Sequence, residues 1–600
     1  MDLAGIFHQP FSADAYAYDK ETMHIKIRTK KQDIAKAVLI WGDPYLFKQN
    51  EQGEYHWESK RLEMKKMAET EAHDYWFAEV KPPHSRLQYA FLLDDGKGKE
   101  IFYGGRGFYP PVEDTLNVPD YYFKFPYIHE TDMFKAPDWV KSTVWYQIFP
   151  ERFANGNPDI SPSNALPWGS RDPGVNDFFG GDLQGIIGHL DYLQDLGIGG
   201  LYLTPIFESP SNHKYDTLDY FSIDPHFGDK ETFRKLVEEA HKRGIKVMLD
   251  AVFNHIGKHS AQWQDVLKNG EKSHYKDWFH IHSFPVREGE NGNIDGKDTL
   301  SFDTFAFTTS MPKLNTANPE VQKHLLDIAT YWIREFHIDG WRLDVANEVD
   351  HAFWKKFHKA VIKENPDLYI LGEIWHDARP WLLGDEFHSV MNYPFTQTII
   401  EYFVDEKITA EKMVHSINQQ FMHYMQSNNE VLFNMLDSHD TPRILTRCGG
   451  NKKKVKLALG FMFAHTGSPC LYYGTEVGMD GGGDPLCRKC MIWEEDKQDR
   501  DMLAFTKKLI QFRKQYQHTL TYGELDWLKV DNHQQLVGFL RKGEDHTLLF
   551  VFNRSDSEKS IPWPELHVEH PQSARTVLGD GKLDTGNLVL PAQDFVAIEL

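Results

Sequence analysis

The sequence predicts an α/β protein: a (β/α)8 TIM barrel with a small inserted domain after its third strand, flanked by N-terminal and C-terminal all-β sandwich domains. Three observations carry this reading. Eight short apolar runs alternate with amphipathic helical segments through the middle of the chain, which implies a parallel sheet closed on itself. Strand-like runs without helices occupy both ends. Six hundred residues exceed what one core organises, and 41% hydrophobic with 26% charged residues is globular usage that argues against disorder or a fibre.

Residues 1–125 alternate short apolar runs (24–27, 37–41, 76–80, 87–93) with turn-prone clusters such as Asp94-Asp95-Gly96, the rhythm of a β-sandwich. After a polar connection over 127–142, a barrel domain is expected over 126–517. Its strand candidates are 144–150, 200–205, 246–253, 340–345, 368–375, 390–393, 431–438 and 469–473, with helical periodicity over 230–243, 318–336, 351–363 and 502–516. The stretch from His255 to about Thr316 is far longer than an ordinary βα loop and reads as the inserted domain. From 518 to 600 strand-like segments (536–540, 547–553, 595–600) return as a C-terminal β-sandwich.

A net charge of −22 excludes nucleic acid and an anionic membrane as natural partners, since both require a basic patch. A neutral substrate fits better, and the 14% of aromatic residues is consistent with sugar stacking, although most of those rings are expected in the core. No basic-then-apolar leader opens the chain and no apolar run approaches membrane-spanning length, so the Met1 start is read as a cytoplasmic protein. A secreted form with its leader removed and a new Met added by cloning reads the same. Four cysteines (Cys448, Cys470, Cys487, Cys490) do not make a disulfide framework, and the Cys487-Arg-Lys-Cys490 spacing alone supplies half of a zinc site.

Barrel enzymes carry their chemistry at the C-terminal ends of the strands. There the sequence offers Asp250-Ala-Val-Phe-Asn254-His255 on strand three, Gly340-Trp-Arg342-Leu-Asp344 on strand four, Gly372-Glu373-Ile-Trp375 on strand five and Asp437-Ser-His439-Asp440 on strand seven. A single strand-end carboxylate is as easily a cap or an ion-pair partner. Four motifs in order are not, and Asp344, Glu373 and Asp440 form the set that glycosidic cleavage needs: an attacking carboxylate, a proton donor and a group that binds the oxocarbenium-like state. Arg342, two residues before Asp344 and on the same face, is expected to keep it ionised. Glu373, beside another carboxylate and partly buried, is expected to hold its proton more tightly.

Together with Met311-Pro-Lys-Leu-Asn315, Val345-Ala-Asn-Glu348 and Glu373-Ile-Trp375-His376, these motifs resemble the α-amylase family of glycoside hydrolases, in particular its neopullulanase, cyclomaltodextrinase and maltogenic amylase branch. The resemblance covers essentially the whole chain. It implies Asp344 as nucleophile, Glu373 as general acid/base and Asp440 as transition-state stabiliser. His255 and His439 then bind hydroxyls of the sugar being cleaved, Arg342 orients the nucleophile, and Tyr215 of His213-Lys-Tyr-Asp216 stacks on that sugar. Glu348 and Trp375 fall on the leaving-group side, where they govern acceptor choice. Asp484 and Arg488 fall on the non-reducing side, against the alternative of a surface ion pair at i, i+4.

By the same resemblance the N-terminal domain is a starch-binding-like module that supports a homodimer and restricts the site to small or cyclic α-glucans; its aromatics Trp41, Tyr45, Trp57 and Trp76 are otherwise core. A structural Ca2+ is implied at Asn155, Asn157, Gly180 and Asp182, although Asn157 stands where Asp is common and Ile160 where another ligand is expected. The activity implied is that of a retaining, endo-acting α-1,4-glucan hydrolase with transglycosylation, acting on cyclodextrins, maltooligosaccharides and pullulan through a covalent glycosyl-Asp344. The alternatives are an oligo-1,6-glucosidase or polymer-degrading α-amylase and, outside enzymes, an inactive barrel serving as a binding or interaction subunit. That last alternative predicts a transmembrane helix and broken carboxylate positions, and neither is present in the sequence.

Overall fold

A computed structural model of the chain describes residues 1–49, 51–53, 55–287, 300–568 and 574–600. It divides into two compact units, 1–135 with 382–384 and 408–429, and 136–381 with 385–407 and 430–600.

The second unit holds eight strands: β1 (Trp145–Ile148), β2 (Gly200–Leu203), β3 (Lys246–Ala251), β4 (Gly340–Leu343), β5 (Tyr369–Gly372), β6 (Ser389–Val390), β7 (Phe433–Asn434) and β8 (Ser468–Tyr472). They run in the order β6-β5-β4-β3-β2-β1-β8-β7, every neighbouring pair parallel. A parallel bridge between Met391 and Phe433 joins β6 to β7 and closes the barrel. The strands are buried along their length, as a sheet covered on both faces requires.

Register fixes the level of the strand ends. Ala251 pairs with Leu343 and Leu343 with Gly372, so Asp344 and Glu373, the next residues on adjacent strands, emerge side by side at the C-terminal rim. Gly372 is required there: a Cβ would stand 2.5 Å from the Phe387 ring.

Helices around the barrel form where periodicity places them. Pro319–Phe336 starts on Asn318, whose side chain accepts the Glu320 and Val321 amides, turns Val321, Leu325, Ile328, Trp332 and Phe336 inward, and stops at His337 in the left-handed region. The expected strands over 390–393 and 431–438 shrink to two residues each. In the first case Tyr393 opens a helix, Tyr393–Ile399, because Pro394 suits a first helical turn and cannot donate to a strand ladder. Part of the expected insertion, 288–299, lies outside the described residues. The C-terminal stretch forms a five-stranded sheet (Glu524–Asp531, Leu536–Lys542, Thr547–Asn553, Asp594–Glu599, Arg575–Gly579) and a three-stranded one (Lys559–Pro562, Asn587–Leu590, Lys582–Leu583).

In the first unit, a four-stranded sheet built on Met23–Lys30 and His73–Val80 belongs with a larger sheet built on Lys36–Gly42 and Leu87–Asp94. Ile25, Ile27, Leu39, Trp41, Trp76, Leu87, Tyr89 and Phe91 share one core. Trp57 is buried in a satellite cluster, whereas Tyr45 is 72% exposed, so three of the four singled-out aromatics are core. Residues 408–429 belong to this unit although the sequence reading put them in the barrel stretch. Their helix, Ala410–His423, ends on a buried lysine: Lys26 Nζ donates to the carbonyls of Met422 (2.8 Å) and Tyr424 (3.0 Å).

Burial holds the His8 and His24 imidazoles down at about 4, below the ordinary histidine value near 6.5. Because the folded values are depressed, the stability these neutral rings contribute is complete above pH 6.5 and is lost as pH falls from there through 4, up to about 3 kcal/mol each. Thermal melts of wild type and of a H8Q/H24Q double variant at pH 7 and pH 4.5 test this: the wild type is expected to lose more on acidification, and parallel losses refute it.

The loop after β1 was the candidate calcium site. Gly156 and Asn157 donate backbone amides to Asp182 (3.1 and 2.7 Å), and Gly185 donates at 2.6 Å, so both carboxylate oxygens are taken by amides while Asp182 caps the helix Leu183–Gly188. Asn155 Nδ2 meets Ser161 Oγ, and the Gly180 amide donates to Glu151. Amide hydrogen bonds fix Asp182, and the side-chain oxygens of Asn155 and Asn157 with the Gly180 carbonyl are the further groups that would hold the implied Ca2+. D182A is expected to lower the melting temperature by about 1 to 2 °C, an N-cap being worth about 1 kcal/mol in a unit of this size, and an unchanged melting temperature is the contrary result.

Candidate active site

A cavity of about 460 Å³ opens at the C-terminal rim of the barrel, lined by Asp344, Glu373 and Asp440 among others. Its floor is a buried ion cluster. The Arg342 guanidinium, fully inaccessible, donates Nη1 to Asp344 Oδ1 (2.6 Å) and to both oxygens of Asp250 (3.0 Å each), and its Nη2 lies 2.9 Å from Glu373 Oε2. Asp250 also accepts the hydroxyls of Tyr202 (2.7 Å) and Tyr215 (3.0 Å). Glu373 accepts the Val345 amide (2.9 Å) and the Trp375 indole N–H (3.2 Å). Val345 points its amide that way from the left-handed region (φ 46°), an uncommon conformation for a β-branched residue and a local strain at the turn after Asp344.

Burial pushes the Asp344 carboxyl well above the usual carboxylate range; Arg342 opposes this, and Glu373 and Asp250 add to it. Asp250 is pushed up to about 6 by the same burial. Arg342 acts in the direction expected of it, favouring the ionised Asp344, while desolvation acts against it.

On β7's side, His439 is clamped by Gln147 Nε2 at Nδ1 (2.6 Å) and by the Tyr215 hydroxyl at Nε2 (2.6 Å), with Asp440 Oδ2 at 3.2 Å. His255 Nε2 lies 3.1 Å from the Tyr215 carbonyl. Burial holds both imidazoles low, His255 at about 3, so each is a neutral hydrogen-bonding group. Tyr215 itself hangs from the loop between the hairpin strands Phe207–Glu208 and Asp219–Ile223. Arg488 donates Nε to the His439 carbonyl (2.9 Å), pairs with Asp484 at 3.0 Å and reaches Asp440 at 3.4 Å. Arg488 is 8% exposed and, with the more exposed Asp484, lines the cavity. Cys487 Sγ also donates to the His439 carbonyl (3.1 Å), and all four cysteines are buried free thiols.

Trp375 is half exposed and stacks on Tyr393 at 3.6 Å between ring centres. Glu348 lines the cavity and pairs with Lys313 at 3.2 Å. The structure thus gathers Asp344, Glu373, Asp440, Arg342, His255, His439, Tyr215, Glu348, Trp375, Asp484 and Arg488 in or directly behind one cavity, and Asn155, Asn157, Gly180 and Asp182 do not line it. Sequence reasoning gave no role to Asp250, Gln147, Tyr202, His213, Phe305 or Asn347. Asp250 was readable as the first polar residue of the strand-three motif. Gln147 and Tyr202 lie within apolar strands and carry no local signal. Among the described residues, no group of three or more His, Cys, Asp or Glu side chains is arranged to hold a metal, and no helix is long and apolar enough to cross a membrane.

The comparisons with known proteins agree with this geometry. Residues 147–523 match the model of the α-amylase catalytic domain, and residues 1–129 match that of the α-amylase N-terminal Ig-like domain. An intracellular maltogenic amylase from Bacillus subtilis is 61% identical over 569 residues, covering 95% of this chain and 94% of that protein. Neopullulanase 2 from Thermoactinomyces vulgaris is 43% identical over 94% of this chain and 92% of its own length. A solved cyclomaltodextrinase structure superposes with a TM-score of 0.91 at 44% identity and full coverage of both chains. With a buried arginine joining carboxyls at the ends of β3, β4 and β5, and family models spanning both its first domain and its barrel, the chain belongs to the α-amylase family of glycoside hydrolases.

Proposed function

We propose that this protein is a retaining, endo-acting α-1,4-glucan hydrolase that also transfers glycosyl groups, acting on cyclodextrins, maltooligosaccharides and pullulan. The observation that carries it is the common attachment of Asp344 and Glu373 to one guanidinium at the level ends of adjacent parallel strands. Neighbouring strands run about 4.8 Å apart. That agrees with the roughly 5 to 5.5 Å carboxyl separation of a double displacement and leaves no room for the water that an inverting enzyme holds between them.

In the first step Glu373 protonates the departing glycosidic oxygen while Asp344 attacks the anomeric carbon, giving a covalent glycosyl-Asp344. In the second, Glu373 takes a proton from water or from a sugar hydroxyl, which displaces Asp344 and restores the α-configuration. Asp440, paired with Arg488, binds sugar hydroxyls more tightly as positive charge develops on the ring. Neutral His255 and His439 orient hydroxyls, Tyr215 covers a sugar face, and Asp484 with Arg488 holds the non-reducing side. Trp375 and Glu348, on Glu373's side, meet the leaving group.

The preference for small and cyclic glucans rests on the relatives named maltogenic amylase, cyclomaltodextrinase and neopullulanase. A homodimer through the N-terminal domain completes the reading, supported by a hairpin that exposes Tyr45, Phe47 and Tyr55, aromatics that mark contact surfaces. Cytoplasmic residence is supported by the Bacillus subtilis relative, whose name describes it as intracellular.

Hydrolysis of β-cyclodextrin and of starch by wild type and E373Q, with anomer analysis, is the decisive test. The wild type is expected to open the ring faster than it cuts starch and to release α-anomeric maltose, and E373Q to lose activity by about 100-fold or more. A preference for starch overturns the substrate assignment, and full activity in E373Q overturns the catalytic one.

A further inference from the structure

Lys313 is not among the cavity's lining residues, yet it holds one that is. It sits in the segment inserted after β3, its backbone bridged to His255 and the next amide, of Leu314, donated to the Asn254 carbonyl (3.0 Å). Its ammonium donates to the Asn254 side-chain oxygen, to the Glu348 carbonyl (3.1 Å) and to Glu348 Oε2 (3.2 Å). Three acceptors use all three protons of an ammonium. One lysine therefore ties the inserted segment, the end of β3 and the turn after Asp344 together.

Glu348 needs such a tie. It ends a single 3-10 turn, Ala346–Glu348, that follows strained Val345, and its side chain is 41% exposed at the cavity wall. Without a partner a half-exposed glutamate samples several rotamers and offers no fixed acceptor. With Oε2 and the backbone carbonyl both bound by Lys313, Oε1 is left to meet a hydroxyl. Glu348 lines the cavity with Trp375 and Glu373, the turn that carries it bonds Glu373 through the Val345 amide, and a group that protonates the departing oxygen stands on the side from which the incoming nucleophile arrives.

We propose that Lys313 is a positioning residue for the acceptor sugar: by fixing Glu348 it sets how often glycosyl-Asp344 is captured by a sugar hydroxyl rather than by water. The proposal rests on the double-displacement reading above. Both captures balance alike: the acceptor O–H gives its proton to Glu373, its oxygen bonds the anomeric carbon, and the bond to Asp344 breaks.

The test measures the ratio of transfer to hydrolysis products from maltotriose with added glucose as acceptor, and in parallel the rate of β-cyclodextrin ring opening, for wild type, K313M, E348Q and the double variant. K313M is expected to lower the transfer-to-hydrolysis ratio by roughly threefold, the scale of a partly exposed ion pair, and to raise KM for the acceptor more than it lowers kcat for ring opening. E348Q is expected to do the same, and the double variant to equal either single one, because both act through one contact. If K313M does not fold, K313Q, which keeps a donor and removes the charge, is expected to show the same fall. A wild-type ratio in K313M or K313Q, or effects that multiply in the double variant, overturns the proposal. A wild type that yields no transfer product overturns it through the reading beneath it, and is distinguishable because no variant is then needed to see the failure.

Discussion

The site depends on one buried cation. Taking a guanidinium out of water costs several kcal/mol, and a carboxylate costs as much, so neither Arg342 nor the acids around it is tolerable alone. Arg342 meets the cost by geometry. Its planar fork gives one nitrogen to Asp250 and Asp344 and sets the other against Glu373, which a point-charge ammonium does not match. Three successive strands, β3, β4 and β5, are thereby joined through their ends as well as through their ladders, and the distances among the acids follow from barrel register rather than from loop conformation. The left-handed Val345 is tolerable for the same reason, since its amide completes the Glu373 carboxylate.

Around this charged centre lies a shell of neutral hydrogen-bonding groups. Tyr202 and Tyr215 donate to Asp250, Tyr215 also reaches His439, and Gln147 closes the far nitrogen of that imidazole. Each link restricts a rotamer of a group facing the cavity, so the walls are set before any ligand arrives. The carbonyl between His439 and Asp440 is gripped by both Arg488 and Cys487, which gives that one cysteine of the Cys-x-x-Cys pair a structural use.

What was legible in the sequence follows from how far each signal reaches along the chain. Helix Pro319–Phe336 announces itself through Asn318, Pro319 and a sustained 3.6-residue period, all local. Catalytic-end motifs are legible because barrel topology converts sequence order into position: once eight strands are counted, a polar residue at a strand end must face the rim. Gln147 and Tyr202 stayed hidden because they lie inside strands whose remaining residues are apolar, and only the closed barrel turns them toward β7 and β3. The strand read over 390–393 stops short because Pro394 turns Tyr393 into the start of a helix, a local signal that apolar character outweighed. In the loop over Asn155 and Asn157 the oxygen-bearing residues were legible, but the amides that Asp182 accepts were not. Asp182 was already committed to capping its helix, an alternative fate that any Asp before a helix carries. The reading of Asp344 weighed the nearest cation and not the burial that opposes it, because depth is not legible in a strand-end residue.

A net charge of −22 and a neutral sugar substrate leave no role for long-range steering, so recognition must come from contact. The cavity separates two kinds of contact. His255, His439 and Tyr215 are uncharged where they face it, and a neutral hydrogen bond to a hydroxyl is worth nearly the same before and during reaction, so these groups position the ring without favouring the transition state. The carboxyls Asp344, Glu373 and Asp440 stand together beside the place where the proposed reaction develops positive character, and in a site of low dielectric the attraction of an ionised one grows as the bond breaks. Burial serves both ends: the desolvation that keeps the histidines neutral is the same that strengthens the field of the acids. Phe305 and Met311, from the segment inserted after β3, line the cavity and add apolar wall to it.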